Sequence, residues 1–306
     1  MKIANILVIN GGGIKAIAVL IQLIELERVI KKKLCEHFDY ISGCSTGGII
    51  AALLSLGYSS EEILRLYTEH GEKIFNKKFL RFGLIRPKYD DTYFNEVLVK
   101  YIQSKKLSDC KTNIIIPTYN ATKKSLKIFK SYKFSDKNSN LLDVVRATAS
   151  APTYFKPWKI DGDEYIDGGL VVNNPTMIAW LEAIKAGYDK CQIINFTTGR
   201  REEPISKSVV KSGKLGWAQP TVDILLTEMD QTTDYITKQL FNLLPNIYGK
   251  RLGMYIRCET YLDKASSDMD DASIINIHNL LEDGETSCNI NKGKMQAYYL
   301  NTIKNG

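Results

Sequence analysis

Histidine is scarce in this 306-residue chain, which holds three: His37, His70 and His278. Any histidine-based acid–base chemistry is therefore confined to three positions. No stretch is apolar for the length a bilayer-spanning helix needs. The opening residues, Met1-Lys2-Ile3-Ala4-Asn5, lack the basic, apolar and small-residue segments of a secretory signal, so the expectation is an intracellular protein. The six cysteines (Cys35, Cys44, Cys110, Cys191, Cys258 and Cys288) are scattered, without Cys-x-x-Cys or a histidine at ligand spacing. Neither a zinc site nor a disulfide framework is implied. Repeats, low-complexity tracts and linkers are also missing, which leaves one expected domain over residues 1–306.

What is present is the composition of a soluble globular protein, 44% hydrophobic and 25% charged, with a formal net charge of +7. The positive balance favours anionic partners. Its lysines and arginines are spread in pairs such as Lys105-Lys106 and Lys123-Lys124, and no nucleic-acid-binding module accompanies them, so no nucleic-acid polymer is expected as a partner.

Strand and helix signals alternate from the first residues. Ile3–Ile9 reads as a strand, Ile14–Val29 as a helix, Phe38–Ser42 as a second strand and Thr46–Leu56 as a second helix. Ser59-Ser60-Glu61-Glu62 carries the cap and acidic first turn of a third, running to about Phe75. Helices are expected from Asp90-Asp91 to Tyr101, over Leu141–Ala149, from Pro175 to Ala186, over Val222–Leu244 and over Ser273–Leu281. Further strands are expected at Asn113–Ile116, Leu126–Phe129, Cys191–Thr197 and Met254–Thr260, and a mobile loop over Arg200–Leu215. The alternation predicts an α/β fold, its sheet largely parallel in the early part, with helices on both faces.

Three short motifs carry the chemistry. Gly43-Cys44-Ser45-Thr46-Gly47 has the form G-x-S-x-G between an expected strand and helix. A nucleophile elbow needs that context: a turn sharp enough to demand small neighbours, with the serine hydroxyl at a helix N-terminus. An ordinary glycine-rich turn is the rival reading. Cys44 is read as a small elbow residue, with a thiol acidified by the helix start as the alternative. Gly11-Gly12-Gly13 ends the first strand, where bare backbone N–H groups can face a ligand. Gly11-x-Gly13-x-x-Ala16 also fits a dinucleotide fingerprint, but the second strand ends in the elbow and lacks the acidic residue that would bind a ribose. Asp167, in Tyr165-Ile166-Asp167-Gly168-Gly169, stands at a strand end and is a candidate base; taken alone, Asp-Gly is more simply a hairpin turn. His278, the histidine in the chain order of a hydrolase triad, lies on an amphipathic helix face.

In this order the motifs resemble the patatin-like phospholipases, lipid acyl hydrolases that use a Ser-Asp dyad. Ala149-Ser150-Ala151-Pro152-Thr153-Tyr154-Phe155, Asn173-Asn174-Pro175, Tyr255-Ile256-Arg257 and Met269-Asp270 extend the likeness. Two departures stand out: Asn10 where many members carry Asp, and Ala16 where a glycine is usual. The resemblance implies a three-layer α/β/α fold, with Ser45 as nucleophile, Asp167 as general base and Gly11, Gly12 and Gly13 as the oxyanion hole. Gly43, Gly47, Gly168 and Gly169 shape the motifs. It also implies a phospholipid substrate, no metal or other cofactor, and transient membrane contact by a cytoplasmic protein. The basic and aromatic segment Asn76–Tyr89, with Phe79–Tyr89 as the candidate membrane-contacting lid, would suit such contact. Some compact bacterial members degrade their own membrane in anti-phage defence after a cyclic nucleotide binds, which makes such an activator an expectation here. A catalytically silent lipid-binding member would keep the same motifs.

Overall fold

Along the strand Ile3–Ile9 (β1), alternate side chains serve different cores: Leu7 and Ile9 pack on one face of the sheet, Ala4, Ile6 and Val8 on the other. Burial on both faces is the condition of a strand inside a covered sheet. The computed structural model describes residues 1–75, 87–199, 206–248 and 252–305. After β1 come α1 (Ala16–Ile30), α2 (Leu34–His37), β2 (Tyr40–Gly43), α3 (Thr46–Leu56), α4 (Ser60–Ile74) and α5 (Thr92–Ile102). The middle of the chain forms β3 (Asn113–Asn120), β4 (Ser125–Lys130), α6 (Leu141–Thr148), β5 (Trp158–Ile160), β6 (Asp163–Asp167), α7 (Gly169–Val172), α8 (Thr176–Lys185) and β7 (Lys190–Phe196). The last part holds α9 (Lys207–Val210), α10 (Lys214–Tyr248), β8 (Gly253–Cys258) and α11 (Ile274–Asn305).

These strands make one sheet among the described residues. β3, β2, β1, β7 and β8 are parallel neighbours in that order, and β4, β5 and β6 add antiparallel pairings on the β3 side. α1, α3, α4, α6 and α11 cover one face, and α8 and α10 the other. The three-layer α/β/α architecture with a mainly parallel sheet is the one expected. No helix among the described residues is long and apolar enough to cross a membrane.

The pairings of β3 bring the functional motifs together. β4 occupies one edge of β3 along Ile115–Asn120, so the pairings of β2 with Asn113–Ile115 and of β6 with Thr118–Asn120 must share the other edge. β2 runs parallel to β3 and β6 antiparallel, so their C-terminal ends approach head-on. Ser45 follows the end of β2, and Asp167 is the end of β6.

Several boundaries differ from the sequence reading. β1 and α3 match it, and Ser59 caps α4 through a reciprocal capping box with Glu62. α11 runs well past Leu281 because Gly284 lets it lie against α1, where a Cβ would stand 2.9 Å from the Cα of Ala18. α10 begins before Pro220 and carries that proline within it. The described part of the expected mobile loop is largely helical: Ser206 caps α9, and α10 starts at Lys214. Residues 200–205 of that loop and 76–86 of the basic aromatic segment lie outside the described residues.

Candidate active site

The chain reverses between β2 and α3 through Cys44 and Ser45, and Ser45 holds φ 53° and ψ −125°. A serine at positive φ is strained, and strain of this kind persists only where surroundings enforce it. A Cβ at Gly43 would stand 2.1 Å from the carbonyl oxygen of Gly47, and one at Gly47 would stand 2.1 Å from that of Ile9. Thr148 fastens the turn from outside: its Oγ1 accepts the Ser45 N–H at 3.0 Å and donates to the Pro117 carbonyl at 2.7 Å. Ser45 thereby caps α3 with its side chain free for chemistry, and the helix dipole favours negative charge there.

Asp167 is 1% exposed. Its Oδ1 accepts the Gly169 N–H at 2.7 Å and faces the Cys44 thiol at 3.8 Å, and the Ser45 hydroxyl is a hydrogen-bond partner of the same carboxylate. No cation contacts it among the described residues. Burial therefore dominates and pushes its pKa up to about 6, against the lowering effect of Ser45, Gly169 and Cys44. A carboxylate of that pKa is a better base than a solvated one and is still largely ionised at neutral pH. We expect kcat/KM to rise with pH along an acid limb near pH 6. A limb near the ordinary carboxylate value of about 4 would show a solvated Asp167 and overturn this reading.

The glycine loop is braced on three sides. Gly11 donates its N–H to Asn173 Oδ1 at 3.0 Å, its carbonyl accepts from Thr198 Oγ1 at 2.7 Å, and Ile14 N–H reaches the Met269 carbonyl at 2.9 Å. Gly13 has φ 61°, and a Cβ there would lie 2.0 Å from the Met269 carbonyl oxygen. The Gly11 N–H is engaged by Asn173, whereas the N–H groups of Gly12 and Gly13 have no hydrogen-bond partner among the described residues. A Cβ on Gly11 would stand 3.0 Å from Ser45 Cβ, so the loop abuts Ser45. Ala16 is buried in the core, as a small residue packed between helix and strand.

Asn10 precedes the loop inside a buried polar network. Its Nδ2 donates to Asp230 Oδ1 at 2.7 Å, and its Oδ1 accepts from Asn195 at 2.8 Å. Arg257 holds the same Asp230 through two bonds of 2.7 and 2.8 Å. An Asp at position 10 would turn a donor toward Asp230 into a second carboxylate, which accounts for the departure from the resembled pattern.

Ser45 and Gly13 open onto an apolar pocket of about 60 Å³ whose walls include Ile49, Leu66, Phe75, Phe155 and Met269. No histidine lines it. His278 has a side chain 71% exposed and pairs with Glu282 at 3.0 Å, His70 bonds Tyr93 at 2.8 Å, and His37 packs against Phe38 and Tyr298. Burial and the neighbouring Asp167 hold the Cys44 thiol far above its ordinary pKa, so it is a small elbow residue and not an acidified thiol. No group of three or more His, Cys, Asp or Glu side chains suited to a metal occurs among the described residues. Thr148, Thr198 and Asp230 support the site without having been singled out in the sequence, since each is an isolated polar residue with no local pattern.

The family model described as patatin-like phospholipase matches residues 7–180, a span that contains all three motifs. The chain belongs to this family. Within it, the chain is 30% identical to the cGAMP-activated phospholipase of Vibrio cholerae, over 92% of this chain and 89% of that protein. It is 28% identical to patatin-like protein 4 of Arabidopsis thaliana, over 96% of this chain and 85% of that one. Among solved structures, human GIVD cytosolic phospholipase A2 superposes with a TM-score of 0.49 at 11% identity, covering 99% of this chain and 59% of that one. The protein is accordingly a patatin-like serine ester hydrolase of the phospholipase type.

Proposed function

We propose that Ser45 and Asp167 cleave ester-linked fatty acids from membrane phospholipids as a two-residue catalytic unit. The observation that carries this reading is a buried carboxylate with no cation at hand, hydrogen-bonded to a strained serine at the mouth of an apolar pocket. Asp167 takes the Ser45 proton as Oγ attacks the ester carbonyl carbon. Negative charge gathers on the carbonyl oxygen, toward the N–H groups of Gly12 and Gly13 and the N-terminus of α3. The tetrahedral adduct collapses to an acyl-serine, and the departing alkoxide, the lysophospholipid, takes the proton from Asp167. Water then attacks the acyl-serine with Asp167 again as base, which releases the fatty acid and restores Ser45.

Two finer readings follow. The apolar pocket beside Ser45 suits an acyl chain lifted from a bilayer, which supports peripheral docking on a membrane surface, on the cytoplasmic side in this reading. The Vibrio cholerae relative is named for activation by cGAMP. Its 30% identity across most of both chains, and this chain's net charge of +7, support a cyclic dinucleotide as activator and a membrane-degrading role in anti-phage defence.

The test is fatty-acid release from phospholipid vesicles without added metal, with and without cGAMP. We expect release that cGAMP stimulates. Equal release with and without it would remove the activator. No release in either condition from folded protein would count against the hydrolase reading and favour a silent lipid-binding member.

A further inference from the structure

Met269 and Asp270 belong to no strand or helix, yet they join the two halves of the site. The Met269 carbonyl bonds the Ile14 N–H at 2.9 Å and crowds Gly13, and its side chain forms part of the pocket wall. The Asp270 carboxylate accepts from the Lys88 ammonium and from the Tyr89 hydroxyl. Tyr89 is buried, its N–H bonds the Tyr154 carbonyl at 3.0 Å, and its ring packs on Phe75 and Phe155 with centroids 5.4 and 5.8 Å apart. Tyr154, Phe75 and Phe155 line the acyl pocket. One buried carboxylate thus ties the pocket wall to the segment that presses on the oxyanion loop.

We propose that Asp270 is a positioning residue for ester hydrolysis: by anchoring on Lys88 and Tyr89 it holds the Met269 carbonyl against Ile14 and Gly13, and so fixes where the Gly12 and Gly13 N–H groups point. The proposal rests on the Ser45–Asp167 reading. Its physical basis is the sensitivity of an oxyanion hole to small displacements, since donors contribute fully only at hydrogen-bond distance from the developing charge. Without the carboxylate, Lys88 and Tyr89 lose their shared acceptor and the Met269 peptide loses its tether. Ser45 and Asp167, held by Thr148 and Gly169, stay where they are.

The experiment compares wild type, Ser45→Ala, Asp270→Ala, Asp270→Asn and Tyr89→Phe on a short-chain p-nitrophenyl ester, which does not depend on a membrane or a long acyl pocket. Thermal unfolding is recorded for each protein. We expect Asp270→Ala to lower kcat about tenfold or more at a temperature where it is fully folded. KM should change by less than about twofold, as for a group acting only in the transition state. Asp270→Asn keeps an oxygen for Tyr89 and should recover a large part of the loss. Tyr89→Phe should lower kcat by about threefold. An unchanged kcat in folded Asp270→Ala would overturn the proposal, as would a change confined to KM. If Asp270→Ala does not fold, Asp270→Asn and Tyr89→Phe carry the test, and wild-type kcat in both would overturn it. Failure of the underlying reading looks different, because Ser45→Ala would then retain wild-type turnover.

Discussion

Ser45→Ala is expected to lower kcat by about 10⁴-fold or more, and Asp167→Asn by about 10³-fold, on both phospholipid vesicles and a soluble ester. His278→Asn should match wild type, since that imidazole is exposed and paired with Glu282. The Asp167 variant carries a second expectation that an inert surface change would not. Folding raises the carboxyl pKa from 3.8 to about 6, so the native state binds its proton more tightly than the unfolded chain. Stability attributable to this group is therefore greatest at low pH, falls as pH rises between those two values, and stays reduced above pH 6. The deficit at neutral pH is on the order of 2–3 kcal/mol, at 1.36 kcal/mol per pKa unit. Asn keeps an oxygen for the Gly169 N–H and needs no desolvation of charge, although its amide hydrogens need acceptors. We expect the variant to be more stable than wild type by on the order of 1 kcal/mol at pH 8, and to lose that advantage near pH 4. Denaturant unfolding at the two pH values, beside the activity assay, checks both halves. Unaltered turnover in Asp167→Asn would remove the dyad. A variant less stable than wild type at pH 8 would show that the carboxylate is held by favourable interactions and not against a desolvation penalty.

Much of the parallel core was legible because its signals are local. β1 carries a β-rich run, and α3 begins where a G-x-S-x-G turn meets an apolar stretch. The proposed base was harder. Asp167-Gly168 and Asp161-Gly162 are the same dipeptide six residues apart, and only the second is a hairpin turn, with φ of 49° and 84° between β5 and β6. Local chemistry does not separate them. What distinguishes Asp167 is that β6 shares an edge of β3 with β2, and that is a long-range fact. The resemblance pointed to Asp167 where the pattern of residues could not. Thr148, Thr198, Asp230 and the Met269 carbonyl were illegible for the same reason: each meets the motifs across a large sequence separation, and one is a backbone group that no side chain advertises. The long helix α11 escaped for another reason, because Gly284 reads as a helix breaker unless the close approach of α1 is known.

Asp230→Ala is expected to cause a large loss of stability, about 2–3 kcal/mol, because it takes from a buried arginine its bidentate carboxylate partner. Arg257 has a side chain 2% exposed and makes two bonds to Asp230; it would keep Glu259, at 2.5 and 3.4 Å, and Asn195, at 3.3 Å, but lose its bidentate buried carboxylate. In a chain of this size the loss corresponds to a fall in Tm on the order of 5 °C. The same substitution removes the acceptor shared by Asn10 and Asn174, which flank the glycine loop and the residue that bonds Gly11. Stability and positioning can be separated with the double variant Asp230→Leu/Arg257→Met. Replacing both ions with apolar side chains removes the buried arginine together with its lost partner, so much of the lost stability should return. The amide groups of Asn10 and Asn174 would still lack their acceptor, and kcat should remain depressed even where the protein is fully folded. If the double variant recovered Tm and kcat together, the network would serve only to hold the fold. If it recovered Tm alone, the ion pair beneath the loop would be part of what aims the oxyanion donors.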